Sequence, residues 1–223
     1  MIKSLGWDTD FFGYKVGRFD VKEGVQFLDN NFIQSAFNYR LVYVFAKKNI
    51  KLNAGLKLCD TKVVFKKQSS LVKINDSVAK FNVKEHSYEE LLSLALSSGK
   101  YSRFKLDNNF VNNEFEKLYQ KWLDNNIANA EVYVFIKDKK VVGFVSLSFD
   151  TIAHIGLIAV DEASQGQGIG LLLVKHCETE AMKLGYPILQ VVTQKENIGA
   201  MKLYEKNGFT PESETNIYHY WNK

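Results

Sequence analysis

Hydrophobic and polar positions in the first third of the chain predict a small α/β unit. Apolar and alternating runs predict strands near residues 15–21, 41–46 and 61–67, and a helical pattern covers residues 24–39. These elements make an incomplete β-α-β-β unit, whose sheet is too small to bury much apolar surface alone. We therefore expect this part of the chain to dock on the remaining two thirds of the protein.

The rest of the chain predicts antiparallel strands followed by a β-α-β crossover. The pattern gives, in chain order, strand 80–84, helix 87–96, helix 112–125, hairpin strands 131–137 and 141–149, strand 152–160, a long helix ending at Gly185, strand 188–193, helix 197–207 and strand 216–221. Ser87 and Glu90 match the reciprocal Ser-x-x-Glu pattern that caps a helix start. This order predicts an α/β fold with a mixed sheet.

Length and composition allow one large domain or a domain with a smaller partner. The 223 residues are 46% hydrophobic, which is enough for a packed core. No Gly/Ser-rich linker or repeat interrupts the chain, so any boundary must be short. The polar run at residues 69–77 is the best candidate, and it predicts a small domain over residues 1–75 and a larger one over residues 76–223.

The formal net charge is only +4, but it is unevenly distributed. Residues 1–80 carry 14 Lys and Arg against 7 Asp and Glu, whereas residues 81–223 carry 15 against 18. Without runs of basic residues interleaved with aromatics, this composition argues against a nucleic-acid-binding protein. The imbalance suggests instead that the two parts face different partners.

Cysteine usage and the absence of long apolar runs predict a cytoplasmic protein. Cys59 and Cys177 stand far apart, with no Cys or His clustered at ligand spacing, which predicts neither a disulfide framework nor a metal site. A reducing compartment is the simplest interpretation. No apolar run approaches the roughly 18 residues of a membrane-spanning helix, so we predict no membrane insertion.

A glycine-rich turn connects strand 152–160 to the long helix. Its sequence is Gln165-Gly166-Gln167-Gly168-Ile169-Gly170. Glycines let the backbone approach a ligand closely, and the N–H groups at a helix N-terminus carry partial positive charge. The turn therefore predicts a cradle for a pyrophosphate.

Two common nucleotide-binding motifs do not fit this turn. A P-loop would need a Gly-Lys-Ser/Thr ending, which is absent. A dinucleotide fingerprint would need G-x-G-x-x-G in the first β-α unit of a parallel sheet, whereas here the spacing is G-x-G-x-G and antiparallel strands come first. A glycine turn without any ligand remains the alternative.

The turn and the preceding strand resemble the acetyl-CoA motif of the GNAT superfamily of N-acetyltransferases. The matching residues are Gln165-x-x-Gly168-x-Gly170 and Ile158-Ala159-Val160-Asp161. The resemblance implies the GNAT (acyl-CoA N-acyltransferase) fold, with a twisted mixed sheet flanked by helices and a small N-terminal α/β domain. It also implies that the amides of residues 165–170 hold the coenzyme pyrophosphate, while Ile158 and Val160 contact pantetheine and polarise the thioester.

A second motif lies over residues 197–209. Asn197 is a good N-cap, and Tyr204 lies two turns further along the same face, about 10 Å away along the axis. The resemblance implies that Asn197 contacts pantetheine and that Tyr204 protonates the coenzyme sulfur as general acid. In the alternative interpretation, Asn197 only caps the helix and Tyr204 only packs.

No clear general base is present in the sequence. Strand 152–160 offers only His154, which is a weak candidate because most histidines are solvated or satisfied structurally. We favour a water molecule or no dedicated base. His86, His176 and His219 have no clustered partner and are interpreted as structural.

Short matches along the whole chain resemble the family members that N-acetylate a TDP-4-amino-4,6-dideoxy sugar of the TDP-fucosamine type. They are Trp7-Asp8-Thr9-Asp10-Phe11-Phe12-Gly13, Tyr101-Ser102-Arg103-Phe104, the helix of Trp122 and Val192-Thr193-Gln194. Arg103 could clamp a phosphate while Trp7, Phe11 or Phe12 stack on the base or sugar. An ordinary docking patch and a plain surface charge are the alternatives.

Other partners and functions stay open at this point. A GNAT enzyme could act on a protein N-terminus, a polyamine or an antibiotic, and a non-catalytic acyl-CoA-binding regulator belongs to a different class. The predicted partners are acetyl-CoA and a nucleotide amino sugar, without metal or nucleic acid. A homodimer is plausible from the habit of the family.

Overall fold

The computed structural model of this protein describes residues 1–22, 29–50, 52, 56–72 and 77–222. The chain divides into two compact units. Unit 1 comprises Met1–Val63, Gln194–Glu196 and Ser213–Lys223, and unit 2 comprises Val64–Thr193 and Asn197–Glu212. Unit 1 thus includes C-terminal residues that the sequence-based division places in the larger domain. The boundary near residue 75 stays a prediction.

Unit 1 is an α/β unit built mainly from the N-terminal residues. Its elements are β1 (Lys3–Ser4), α1 (Gly6–Phe12), β2 (Val16–Asp20), α2 (Asn30–Ala36), β3 (Leu41–Lys47) and parts of β4 (Leu58–Gln68) and β10 (Thr210–Trp221). The strand order is β1-β2-β3-β10-β4, with β2 parallel to β3 and β10 antiparallel to β3. The three strands predicted from the sequence are confirmed.

The helices of unit 1 differ from the prediction. The predicted helix over residues 24–39 is observed as α2, and its residues 24–28 lie outside the described residues. Asp29 caps α2 by accepting a hydrogen bond from the Phe32 amide at 2.8 Å. Helix α1 was not predicted, because Leu5 at its N-cap position provides no side-chain cap and seven residues give a weak periodic signal.

Unit 2 contains the remaining elements. They are β5 (Val78–Lys80), α3 (Tyr88–Ser98), α4 (Arg103–Leu106), α5 (Glu114–Asn129), β6 (Glu131–Lys137), β7 (Lys140–Phe149), β8 (Ala153–Val160), α6 (Ile169–Lys183), β9 (Ile188–Gln194) and α7 (Ile198–Lys206). The strand order is β4-β9-β8-β7-β6-β5. Strands β5 to β8 pair antiparallel, and β8 pairs with β9 in parallel, so the predicted mixed sheet is confirmed.

Helices cover both faces of this sheet. On one face, buried side chains of α3 and α5 form a cluster with β6, β7 and β8, which includes Leu91, Leu123 and Phe144. On the other face, α6 packs closely against β7 at Gly143. A Cβ added to this glycine would lie only 3.1 Å from the Ile169 side chain of α6. The fold is therefore an α/β layer arrangement, as the sequence predicts.

The predicted reciprocal cap of α3 is only half formed. The Ser87 hydroxyl accepts a hydrogen bond from the Glu90 amide at 3.2 Å, as expected. The Glu90 carboxylate, however, accepts from the Val141 amide at 2.9 Å instead of reaching back to Ser87. The start of β7 lies close enough for its backbone amide to donate to this carboxylate. Such a tertiary contact cannot be predicted from the local sequence pattern.

Within the described ranges, no helix combines the length and the apolar character needed to cross a membrane.

Candidate functional site

Strands β8 and β9 separate part-way along their length. They pair in register only from Ala153 opposite Leu189 to Ile155 opposite Val191. Both strands continue beyond this point, to Val160 and Gln194. Among the described residues, the second half of β8 has no register partner in β9, so backbone groups on that edge are available to an extended ligand. We call this opening the fork.

The glycine-rich turn lies at the end of β8. Gly166 and Gly168 have φ angles of +75° and +81°, and no atom of the described residues lies within 4 Å of where a Cβ on either would be. Such left-handed backbone favours glycine. The Gln165 side chain donates to the Val160 carbonyl oxygen at 3.0 Å and ties the turn to the end of the strand.

The turn leaves the start of α6 open to a ligand. Gly168 occupies the N-cap position and has no side chain with which to cap the helix. The first amide groups of a helix have no partner within the helix and carry partial positive charge. The site therefore fits the pyrophosphate that the sequence predicts, because the glycines leave room for it and the amides can donate to it.

A lysine that sequence reasoning missed stands beside this turn. Lys137, at the end of β6, donates to the Gln167 side-chain oxygen at 2.8 Å. Its ammonium group is exposed and adds a positive charge next to the uncapped helix end. The only sequence signal was its place next to the hairpin loop, which does not reveal a neighbour 30 residues away.

Helix α7 packs directly against the start of α6. A Cβ on Gly170 would lie 3.3 Å from Leu203 and 3.9 Å from Val160, so this glycine permits the close approach. Asn197 caps α7, because its side-chain oxygen accepts from the Ala200 amide at 3.1 Å. The capping role is thus observed, and a contact with pantetheine stays a prediction.

Tyr204 is buried in the body of α7. Its side chain is 2% exposed and packs between Phe65 and Phe209, with ring centroids 5.7 and 5.8 Å away. Burial, and then the nearby Cys177, raise the pKa of Tyr204 above its ordinary value. The phenol is therefore protonated at neutral pH and can donate a proton or a hydrogen bond.

The candidate base His154 has both ring nitrogens engaged. Nε2 lies 3.0 Å from the Asp150 carboxylate, and the Gln190 amide nitrogen lies 3.2 Å from Nδ1. Hydrogen bonds from the Ile152 amide and from His154 lower the pKa of Asp150 to about 2. Neither nitrogen of His154 offers a free lone pair to an incoming amine, which favours the sequence-based preference for water or no dedicated base.

The aromatic residues proposed for acceptor binding lie together on α1. Trp7 and Phe11 stack with centroids 5.2 Å apart and planes 3° apart, and Phe11 meets Phe12 edge-on at 4.9 Å. Trp7 is 49% exposed, so its ring surface is available for further stacking. All three residues belong to unit 1.

Arg103 belongs to unit 2, where it begins α4. Its guanidinium lies 4.4 Å from the centroid of the Phe104 ring, and Phe104 in turn meets Trp122 edge-on at 6.0 Å. The hydroxyl of Ser102 caps this short helix through the Phe104 amide. A contact between Arg103 and a phosphate stays a prediction.

The three other histidines occupy places that fit the structural interpretation. His86 accepts from the Asn82 amide at 2.9 Å. His176 packs 4.4 Å from the Tyr133 ring, and burial lowers its pKa, which keeps it neutral. His219 is buried and its ring lies 5.2 Å from that of Tyr43. A ring nitrogen of His219 also lies within 4.8 Å of the Cys59 sulfur, a neighbour that the sequence did not reveal.

Comparison with known proteins identifies the family. Residues 100–209 match the model of the acetyltransferase (GNAT) family. They cover the hairpin, the fork, the glycine-rich turn and α7. This chain therefore belongs to the GNAT acetyltransferase family, as its two motifs predict.

Several individual proteins are similar to this chain. The spore coat polysaccharide biosynthesis protein SpsD of Bacillus subtilis is 29% identical over 136 residues, which are 60% of this chain and 47% of SpsD. The mycothiol acetyltransferase of Jonesia denitrificans is 35% identical over 75 residues, or 32% of this chain and 24% of that protein. The chain thus spans less than half the length of either relative.

The fold is also that of solved structures. A functionally unknown conserved protein from Staphylococcus epidermidis superposes with a TM-score of 0.65 at 12% identity, covering 94% of this chain and 84% of the other. Together with the family match, this likeness confirms the predicted GNAT fold.

Proposed function

We propose that this protein transfers the acetyl group of acetyl-CoA to the amine of a nucleotide-linked 4-amino-4,6-dideoxy sugar. The observation that carries the proposal is the fork between β8 and β9 beside an uncapped, glycine-rich helix start. An elongated ligand with an anionic end fits this combination. GNAT enzymes use acetyl-CoA, which has that shape and charge.

The coenzyme would lie with its pyrophosphate at residues 165–170 and its pantetheine along the fork. The amides of Gln165, Gly166, Gln167, Gly168, Ile169 and Gly170 would hold the phosphates, and Lys137 would add a charge. The backbone of Ile158 and Val160 would pair with the pantetheine amides and polarise the thioester carbonyl. Asn197 would contact the same arm from the start of α7.

The reaction would then proceed by direct attack in a ternary complex. The neutral amine nitrogen forms a bond to the acetyl carbon, and the C–S bond breaks. The amine loses one proton to water, and Tyr204 supplies a proton to the leaving thiolate before it is reprotonated from solvent. The proposal assigns no step to a metal ion.

The raised pKa of Tyr204 constrains the timing of this proton transfer. Even an unperturbed tyrosine near 10 donating to a thiolate near 8.5 is uphill by about 2 kcal/mol. Burial increases that gap. Donation must therefore be coupled to C–S cleavage, whose free energy can drive it, or remain a strong hydrogen bond to the thiolate.

The sugar-nucleotide substrate is supported by sequence likeness and by the charge of the chain. The similarity to TDP-fucosamine acetyltransferase in four short segments and the polysaccharide biosynthesis in which SpsD takes part point the same way. Arg103 would bind a phosphate oxygen, and Trp7, Phe11 or Phe12 would stack on the base or sugar. A cytoplasmic homodimer is the predicted form.

An amine panel tests the substrate. The chain is incubated with acetyl-CoA and TDP-4-amino-4,6-dideoxy sugars, and the release of free thiol is followed. The matched control is the same sugar with a hydroxyl in place of the 4-amine. Spermidine and a lysine peptide are included because a polyamine and a protein amine are the alternative acceptors. Turnover of only these last two would reject the sugar substrate and keep the acetyltransferase.

Two substitutions test the residue roles. Tyr204→Phe should lower kcat about 100-fold without changing the Kd of acetyl-CoA. Tyr133→Phe is the matched control, because burial also raises the pKa of Tyr133 but that residue packs on His176. Arg103→Ala should raise the KM of the nucleotide sugar, whereas the exposed Lys84→Ala should not; equal effects would remove Arg103 from the site.

A further inference from the structure

A buried carboxylate joins helix α6 to the end of strand β4. Glu178 lies in α6, and its side chain is fully buried. One of its carboxylate oxygens accepts a hydrogen bond from the Lys67 ammonium at 2.7 Å. The other oxygen accepts from the Ser70 amide at 2.9 Å and from the Ser70 hydroxyl at 2.7 Å. We call Lys67, Ser70 and Glu178 the clasp.

The ion pair of the clasp is more buried than the pair formed by the adjacent lysine. The side chains of Lys67 and Glu178 are 20% and 1% exposed, whereas those of Lys66 and Glu212 are 34% and 46% exposed. Taking two charges out of water costs much of what their attraction returns, so a buried pair contributes little to stability. A buried pair can instead fix one arrangement of the elements that it joins, here β4 and α6.

The clasp lies beside the turn that follows α7. Gly208 and Phe209 form this turn, and the Phe209 amide donates to the Tyr204 carbonyl oxygen at 3.0 Å. The Lys67 ammonium lies 6.0 Å from the centroid of the Phe209 ring. A Cβ on Gly208 would lie 3.8 Å from Cε of the same lysine. The lysine stem therefore packs on the turn while its charged end binds Glu178.

Strand β4 makes a second contact with α7. Phe65 lies two residues before Lys67, so both side chains project from the same face of the strand. Phe65 is fully buried, and its ring centroid lies 5.7 Å from that of Tyr204. The ring of Phe209 lies 5.8 Å from Tyr204. Two rings that pack on Tyr204 are therefore next to Lys67, one along the strand and one across from it.

We infer that the clasp positions the phenol of Tyr204 for the proposed proton donation. The bond between Lys67 and Glu178 holds β4 on α6. The strand in turn holds Phe65 and Phe209 against the Tyr204 ring. Lys67 and Glu178 are thus positioning residues, because they act through Tyr204 and not on the substrates. The inference rests on the proposed role of Tyr204 as the acid.

Position matters because proton donation needs a short distance between donor and acceptor. The phenol oxygen must come within about 3 Å of the sulfur's proton-accepting side, and a misplacement of about 1 Å can cost about 100-fold in rate. Among the described residues, no hydrogen bond holds the Tyr204 hydroxyl. The packing of its ring therefore sets where the proton is presented.

The first test removes the ion pair and keeps the volume. Lys67→Met replaces the ammonium with a neutral side chain of similar length. Lys66→Met is the matched control, because the adjacent Lys66 also forms an ion pair, with Glu212 at 2.7 Å. Lys67→Met should lower kcat at least about 5-fold with the Kd of acetyl-CoA unchanged, whereas Lys66→Met should change neither constant. An unchanged kcat in Lys67→Met overturns the inference.

The second test asks whether the loss passes through Tyr204. Glu178→Gln is a milder change, because the amide oxygen can still accept from Ser70 while the charge facing Lys67 is lost. This variant should also lower kcat about 5-fold, and it carries the first test if Lys67→Met does not fold. Combined with Tyr204→Phe, it should lower kcat no further than Tyr204→Phe alone, because effects through a shared residue are not additive. Losses that multiply would show a structural role only and overturn the inference.

The inference and the proposed acid fail in distinguishable ways. If Tyr204→Phe retains the wild-type kcat, or if no amine in the panel is acetylated, the position of Tyr204 is followed by NMR of ring-labelled tyrosine in the complex with CoA. The Tyr204 signal is assigned by its loss in Tyr204→Phe. A shift of this signal in Glu178→Gln that is absent in Lys66→Met supports the clasp, even where the acid is rejected. An unmoved signal in Glu178→Gln overturns the inference.

Discussion

Helices α3 and α6 begin in opposite ways. At α3, Ser87 has an extended backbone and its hydroxyl accepts from the Glu90 amide. At α6, Gly168 has a left-handed backbone and no side chain that could cap the amides. The first helix satisfies its end within the protein, whereas the second leaves its donors for a ligand. An uncapped helix start is costly for stability, so its presence beside the fork is most simply explained by binding.

Helix α7 lies between these two cases. Asn197 caps it by the same bond that Ser87 makes, at 3.1 Å instead of 3.2 Å. Asn197 also has a carboxamide nitrogen that capping does not use, and the family resemblance assigns it a coenzyme contact. Ser87 and Asn197 therefore form a natural pair: one cap serves only the fold, and the other is proposed to serve both fold and ligand.

The largest effect should come from closing the open helix end. Gly168→Asp places a carboxylate at the start of α6, where it competes with the pyrophosphate for the amides and repels it. The Kd of acetyl-CoA should rise about 30-fold, corresponding to about 2 kcal/mol. Gly168→Asn is the neutral control of nearly equal size, because asparagine tolerates the left-handed backbone better than most residues. Equal losses in both variants, measured by calorimetry, would mean that backbone strain rather than charge is responsible.

Removal of the dual cap should have the next largest effect. Asn197→Ala should lower the free energy of unfolding by about 1 kcal/mol, as for other N-caps, and should also raise the Kd of acetyl-CoA about 5-fold through a lost hydrogen bond. Denaturant unfolding and equilibrium binding measure the two effects separately. A change in stability with unaltered affinity would leave Asn197 as a cap only.

The structural cap gives the matched comparison. Ser87→Ala should also cost about 1 kcal/mol in the free energy of unfolding, because the Glu90 amide loses its acceptor. The Kd of acetyl-CoA should not change, since α3 begins away from the glycine-rich turn in sequence and lies on the other face of the sheet from α6. A weaker affinity in this variant would break the proposed contrast between the two helix starts.

The smallest effect concerns Lys137. Lys137→Ala should raise the Kd of acetyl-CoA about 3-fold at low salt, because an exposed charge near a phosphate contributes less than about 1 kcal/mol. The difference from wild type should shrink as salt is added, since ions screen exposed charges. A loss that is independent of salt would indicate that Lys137 acts by holding Gln167 in place.

Local chemistry explains which parts of this protein were predictable. The hairpin of β6 and β7 was found from two runs rich in β-forming residues with a short loop between them, and the loop residues Asp138 and Lys139 have positive φ angles of 51° and 64°. The caps Ser87 and Asn197 were found because an N-cap bonds to an amide only three residues away. The glycine-rich turn was found because its φ angles favour glycine at Gly166 and Gly168.

The features that were missed depend on residues far apart in the chain. Glu90 was expected to complete the cap of its own helix. Its carboxylate instead accepts a hydrogen bond from the amide of Val141, which lies 51 residues away in the sequence. Lys137 was overlooked because Gln167 lies on another element. The bulge of β8, where residues 156 and 157 face the single residue Ser146, is a mismatch of register between two strands.

The sequence by itself determined the order of the longer strands and helices, though not the short elements β1, α1 and α4, together with the mixed sheet, the glycine-rich turn and the residues at the start of α6 and α7. These features depend on backbone preferences and hydrogen bonds within a few residues. Only the tertiary structure decided where β8 and β9 separate and how deeply Tyr204 is buried. Strand register and burial arise from packing between distant segments, and no local pattern encodes the partner.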